Sequence, residues 1–202
     1  MRLTLQGMLR IRPILALMAA LGAAELVGMW MGSPQAREIW MRASMPYRLA
    51  RLQIEEPDTL LPVPVAGVRR KQIANTWKAP RPGDRRHEGQ DIFAKRGTPV
   101  ISATRGVVTR ISDNVLGGKS VFVFGPGGRT YFYTHLDSYA EGLGTADVVT
   151  PGMVLGYVGN TGNARTTPPH LHFGIYGPGR AINPLPLLSD QAPGLKRSST
   201  ST

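Results

Sequence analysis

Ser120-Val-Phe-Val-Phe-Gly-Pro-Gly-Gly-Arg-Thr-Tyr-Phe-Tyr-Thr-His135 is the stretch that decides the fold class. Two runs of β-branched and aromatic residues flank Gly125-Pro-Gly-Gly128, which is the pattern of an antiparallel hairpin. Working outward, Thr98–Ala103, Gly106–Ser112, Val154–Val158 and His170–Tyr176 are also short, rich in Val, Ile, Phe and Tyr, and divided by Gly and Pro. Gly (24) and Pro (17) in 202 residues suit a turn-rich β protein better than a helical bundle. No helical pattern separates the strands, which argues against βαβ units. The expected fold is all-β, mainly antiparallel, over residues 73–188.

The flanks read differently. In residues 1–34, Arg2, Arg10 and Arg12 precede an apolar run from Ile14 to Ala24, and Leu21-Gly-Ala-Ala24 offers small residues for cleavage. Apolar character resumes after Glu25, so Pro13 to Met31 is long enough, roughly 28 Å as a helix, to span a bilayer. Glu25 would cost about 2–3 kcal/mol deep in lipid. A cleaved signal peptide and a retained anchor through residues 13–31 both fit, and either exports the remainder. Residues 35–72 are expected to be a short basic amphipathic helix, interrupted at Pro46, followed by an extended linker from Pro57 to Gly67. Its apolar positions are Ile39, Trp40, Leu49, Leu52 and Ile54. Residues 189–202 are expected to be a disordered tail.

The formal net charge is +11, and residues 35–86 hold eleven basic against five acidic side chains. Such a segment is drawn to anionic surfaces. A helix over residues 36–55 lying on anionic lipid is the accessory reading. No nucleic-acid motif is present, and aromatics are not interleaved with the charges, so a nucleic-acid partner is not expected. The chain has no Cys. That removes disulfides, thiolate metal sites and cysteine nucleophiles, and leaves His and carboxylate for any transition metal.

All four histidines fall in the β block. His170-Leu-His172 opens a strand, so the two imidazoles share one face and Leu171 points into the core. His87-Glu-Gly-Gln-Asp91 offers two further ligands, but a straight strand would part them by about 13 Å. The segment must therefore bend, and Gly89 permits bending. Tyr131, Tyr133 and His135 are expected on one strand face, with His135 at the strand's end. Two His and one Asp suffice for a three-ligand zinc site with an open position, which leaves two His for proton transfer and oxyanion stabilisation.

At these residues the chain resembles the lysostaphin-type (LytM-like) zinc metallopeptidases, which cut cross-bridges or stem peptides of bacterial peptidoglycan. The family's His-x-Gly-x-Asp stands here as His87 to Asp91, its closing His-x-His as His170 to His172, and its middle histidine as His135 in Tyr133-Thr-His-Leu136. Supporting matches are Arg96-Gly-Thr-Pro-Val100 and Val149-Thr-Pro-Gly-Met-Val-Leu-Gly-Tyr-Val-Gly159. The resemblance covers roughly Asn75 to Pro186. It implies a small antiparallel domain of the lysostaphin-like (duplicated hybrid motif) type with a groove between loops, and one Zn2+ per chain. It assigns His87, Asp91 and His172 as zinc ligands, His170 as general base, and His135 as an assisting base or transition-state donor. The substrate implied is a peptidoglycan peptide, met in the periplasm or at the outer face of the cytoplasmic membrane. D-Ala–diaminopimelate cross-links are favoured over glycine bridges if the host is a diderm. Two departures stand near the site: Pro168-Pro169 where relatives often have Gly-Pro, and Gly174 where an acidic residue is common. The competing reading is a catalytically inactive member acting as scaffold or activator of another wall hydrolase; such members typically lack metal ligands, and this chain lacks none.

Overall fold

The computed structural model describes residues 34–81 and 83–191. The expected signal or anchor segment lies outside the described residues. The chain divides into two compact units, Met1–Arg51 and Leu52–Thr202. In the first, helix α1 (Pro34–Ile54, its last turn in the second unit) runs through Pro46 without the expected interruption. Pro46 cannot donate to the Arg42 carbonyl, so the helix forgoes one backbone bond and continues. A Glu38–Arg42 ion pair at 2.9 Å and a bond from Ser44 Oγ to the Trp40 carbonyl at 2.8 Å lie along it. No helix among the described residues is long and apolar enough to cross a membrane.

The second unit is the antiparallel β domain. Its strands are β1 (Leu61–Pro62), β2 (Gln90–Phe93), β3 (Pro99–Ile101), β4 (Gly106–Asn114), β5 (Gly118–Gly125), β6 (Arg129–Tyr139), β7 (Val148–Val149), β8 (Val154–Val158), β9 (His170–Gly177), β10 (Arg180–Ile182) and β11 (Leu188–Ser189). The large sheet runs β10-β9-β6-β5-β4-β7, with β2 added to β9 and β8 joining β6 to β3. The hairpin read from Ser120 to His135 is β5 and β6, paired from Phe124↔Thr130 to Val121↔Tyr133. Alternation sends Val121, Val123, Tyr131, Tyr133, Leu171 and Phe173 into one core, where each is fully buried. Burying such a side chain stabilises by about 1.5–3 kcal/mol. The opposite face keeps Phe122, Phe132 and His172 partly open.

The segment expected as a linker is extended, but it belongs to this core. Leu61, Val63 and Val65 are buried, β1 pairs in parallel with β11, and Val65 bridges Val100. Pro62 and Pro64 between them are buried as well, and as prolines they disguise this buried segment as linker in the sequence. Ser189 lies in β11, and Asp190 Oδ1 accepts from the Arg70 amide at 2.7 Å, so the first residues of the expected tail are also part of the fold. Leu61→Ala is expected to lower the stability of the β domain by about 2–5 kcal/mol, read as a fall in the urea midpoint at constant slope. A loss under about 0.5 kcal/mol would mean that the domain does not depend on this segment.

Candidate active site

The site is built on the pairing of two strands. β2 and β9 run antiparallel with Asp91 opposite His172 and Phe93 opposite His170. Opposed side chains share a face with Cβ atoms about 4.5–5.5 Å apart. Ile92 and Leu171, one residue out of phase, fill the core beneath. His87 lies before β2, at the end of a returning loop. Its amide donates to the Ala79 carbonyl (3.0 Å), its own carbonyl accepts from Lys78 (2.8 Å), and its Nδ1 lies 2.6 Å from the Thr76 carbonyl. That return supplies the bend that the His87–Asp91 spacing requires.

Gly89 has a different job from the one its sequence position suggested. Its φ is not positive, so bending is not what demands glycine here. A Cβ would sit 2.5 Å from His172 Cε1 and 2.9 Å from the Phe173 carbonyl. Only a bare backbone lets the loop approach the His172 ring this closely.

Three ligand atoms converge. His87 Nε2 and His172 Nδ1 are 2.8 Å apart, and both lie near Asp91 Oδ1, at 3.1 and 3.0 Å. Tetrahedral bonds of roughly 2.05 Å set ligand atoms roughly 3.3 Å apart, so a small outward adjustment fits this triangle to zinc. His87, Asp91 and His172 form a group able to hold a metal ion. Asp91 Oδ2 takes a separate partner, Arg81, at 2.7 Å. The Asp91 amide donates to Thr76 Oγ1 at 2.9 Å. Neither partner was legible in the sequence, where Arg81 reads as one more residue of a basic loop.

His135 arrives by a distortion. Tyr133 pairs with Val121 and Leu136 with Lys119, so Thr134 and His135 together oppose Ser120. His135 takes φ +63°, the left-handed conformation. Tyr131 and Tyr133 are fully buried in the core, whereas the His135 ring lies 5.1 Å from that of His170 and 6.0 Å from that of His172. The expectation that Tyr131, Tyr133 and His135 share one face is therefore corrected: the extra residue shifts the alternation, His135 joins the site face, and Leu136 returns to the core.

His135 and His170 are held alike. Nδ1 of His135 lies 2.9 Å from the Thr161 carbonyl, and Nδ1 of His170 lies 2.9 Å from the Pro168 carbonyl. A carbonyl only accepts, so each Nδ1 carries the proton and each Nε2 is left as a free lone pair. His170 Nε2 is 3.9 Å from Asp91 Oδ1. Pro168, one of the two departures, thus supplies through its carbonyl the group that orients His170.

The site is buried and its electrostatics are one-sided. Burial alone would raise the Asp91 carboxyl, but hydrogen bonds from His172 and His87 hold it well below the carboxylate range. Burial lowers His172, offset in part by Asp91. His135 is pushed down to about 4, chiefly by burial and then by the neighbouring His170 and His172.

Comparison with known proteins agrees with this geometry. The sequence profile of Peptidase family M23 matches residues 85–184. The chain is 39% identical over 109 residues to the L-Ala–D-Glu endopeptidase of Bacillus subtilis, a match covering 50% of this chain and 33% of that protein. It is 34% identical to the peptidoglycan DD-endopeptidase ShyC of Vibrio cholerae, over 54% of this chain and 24% of that one. The chain thus spans a third or less of these curated relatives. The crystal structure of a candidate glycyl-glycine endopeptidase lytM from Ruminococcus gnavus superposes with a TM-score of 0.53 at 30% identity, covering 77% of this chain and 71% of that one.

Gly89→Ala is expected to keep the β fold, seen as an unchanged far-UV spectrum, while zinc affinity falls more than tenfold. Arg81→Ala is expected to weaken zinc binding by roughly 10–100-fold, as loss of a ligand's orienting partner does; competition with a chromophoric chelator measures both. For metal-free protein, stability should be full above pH 6.5 and fall as pH drops from 6.5 toward 4, because the unfolded chain takes up a proton at His135 before the folded one does. Urea midpoints across that window check the sign. A midpoint that rises on acidification would contradict it.

Proposed function

We propose that this chain, which belongs to peptidase family M23, is a zinc-dependent endopeptidase that hydrolyses peptide bonds in bacterial peptidoglycan, in cross-links or stem peptides. The observation that carries the reading is the meeting of His87 Nε2, Asp91 Oδ1 and His172 Nδ1 at one point, beside two imidazoles with free Nε2 atoms. The relatives named for cutting L-Ala–D-Glu and DD bonds of the wall support the substrate class.

Zinc held by those three atoms, one ion per chain, would supply a Lewis acid that polarises the scissile carbonyl and brings the pKa of a water near 7. The chain's own residues then move the protons. His170 Nε2 accepts a proton from the attacking water and returns it to the departing amine nitrogen. Its Nδ1–H stays fixed on the Pro168 carbonyl throughout, so the ring does not have to turn. His135, held neutral, presents a second acceptor to the water; once protonated, it becomes a donor to the developing oxyanion. Arg81 binds Asp91 Oδ2 and leaves Oδ1 as the oxygen that faces the two ligand imidazoles.

Because the substrate lies outside the cytoplasm, the proposal includes export, with residues 13–31 as signal or membrane anchor. It also takes residues 73–188 as the peptidase domain, entered through the 61–65 segment.

His172→Ala is expected to lose stoichiometric zinc and all wall cleavage. His170→Ala should keep zinc and slow cleavage by about 10²–10⁴-fold. Metal analysis, with mass spectrometry of muropeptides released from purified sacculi, measures both. Cleavage by the wild type that persists in a zinc chelator would overturn the reading. Zinc binding without cleavage of any wall fragment would favour the scaffold instead.

A further inference from the structure

Beside the catalytic centre, the open face of the sheet carries a row of side chains that the chemistry above does not use. Register puts Arg110, Phe122, Phe132 and Gly174 on successive strands β4, β5, β6 and β9. The row starts at the centre, where the Phe132 ring meets His172 edge-on at 6.2 Å. Phe122 lies 4.3 Å from Phe132, and the Arg110 guanidinium sits over Phe122 at 3.7 Å from its centroid. Both rings are half-buried and Arg110 is exposed. No carboxylate bridges Arg110 among the described residues. Gly174 closes the row without a side chain; a Cβ there would meet Tyr176 Cε2 at 3.2 Å and the Glu88 carbonyl at 3.4 Å. The result is an apolar shelf of mutually tilted rings leading from His172 to one cation.

We propose that this shelf is a substrate subsite in which Arg110 binds a free carboxylate of an acidic stem peptide lying across Phe132 and Phe122. The proposal rests on the peptidase reading and deepens it by naming the substrate's charge. Arg110 stands three strand spacings from β9, roughly 14 Å. An extended peptide advances roughly 3.5 Å per residue, so the recognised carboxylate lies about four residues from the scissile bond. The ring beneath the guanidinium restrains it before substrate arrives, which reduces the ordering needed to bind. A glycine bridge, with no carboxylate along its length, gains nothing from this cation.

The test uses the zinc-loaded full chain and two synthetic probes: a tetrapeptide of L-Ala, D-Glu, a diamino acid and D-Ala with free carboxylates, and its fully amidated twin. Calorimetry should show the wild type binding the free acid roughly tenfold more tightly than the twin. Arg110→Gln should bring that ratio to about one, and Arg110→Lys should recover part of it, since the charge returns without the planar stack. A wild-type ratio near one, or a ratio that survives in Arg110→Gln, overturns the subsite. Tighter binding of a peptide-free glycan strand that Arg110→Gln abolishes also overturns it, in favour of sugar on the aromatic shelf. Hydrolysis is scored separately on cross-linked muropeptides. The expected ratio without hydrolysis removes the peptidase reading and leaves the subsite standing, whereas hydrolysis without the ratio does the reverse.

Discussion

The antiparallel register of β2 on β9 is the constraint on which the site depends. It sets Asp91 against His172 and, one step out of phase, Ile92 against Leu171. A shift of one residue would send the carboxylate into the core and an isoleucine toward the imidazoles. The buried Ile92 and Leu171 therefore guard the site's geometry as much as they stabilise the sheet. Register is held most firmly where one face is apolar and fully buried, and here that face lies directly under the ligand atoms.

Around that pair, the backbone supplies orientation. Carbonyls of Thr76, Thr161 and Pro168 each accept from Nδ1 of a different histidine. Each ring is thereby fixed in one tautomer before any ligand binds, and Nε2 is the nitrogen offered to the site. His172 is the exception: its Nδ1 faces Asp91, and its other edge is covered by the bare backbone of Gly89. Ring orientation is thus decided by loops, and ring position by strands. Arg96 joins these loops, bonding Asp137 after His135 and Asn160 before the turn that leads to His170.

Burial gives the cluster its acid sensitivity and its chemical use together. A buried imidazole resists protonation, so His135 stays an acceptor under conditions that would charge an exposed histidine. The same burial leaves the Asp91 carboxylate dependent on its hydrogen-bonding neighbours and on Arg81, a permanently charged group in contact with it. On the open face beyond the cluster, Phe132 and Phe122 form a row from His172 toward Arg110.

Much of this was written in local sequence. Period-two patterning and glycine-rich turns located β3 to β6, β8 and β9, though not β7 or the continuation of β6 past His135 to Tyr139, and the alternation of His170, Leu171 and His172 announced which face each would take. The motif residues His87, Asp91 and His172 could be named together, although nothing in their spacing says how they meet. Tertiary structure alone decided that residues 61–65 of the Pro57–Gly67 segment are buried in the domain, that His135 crosses to the site face through an extra residue, that Gly89 is needed for room, and that Arg81 and Arg110 stand out from the other basic side chains. The physical reason is range. Steric preferences of a strand or turn act between near neighbours and can be read along the chain. Register, bulges and close approaches arise from bonds between segments tens of residues apart, and exist only once those segments are side by side.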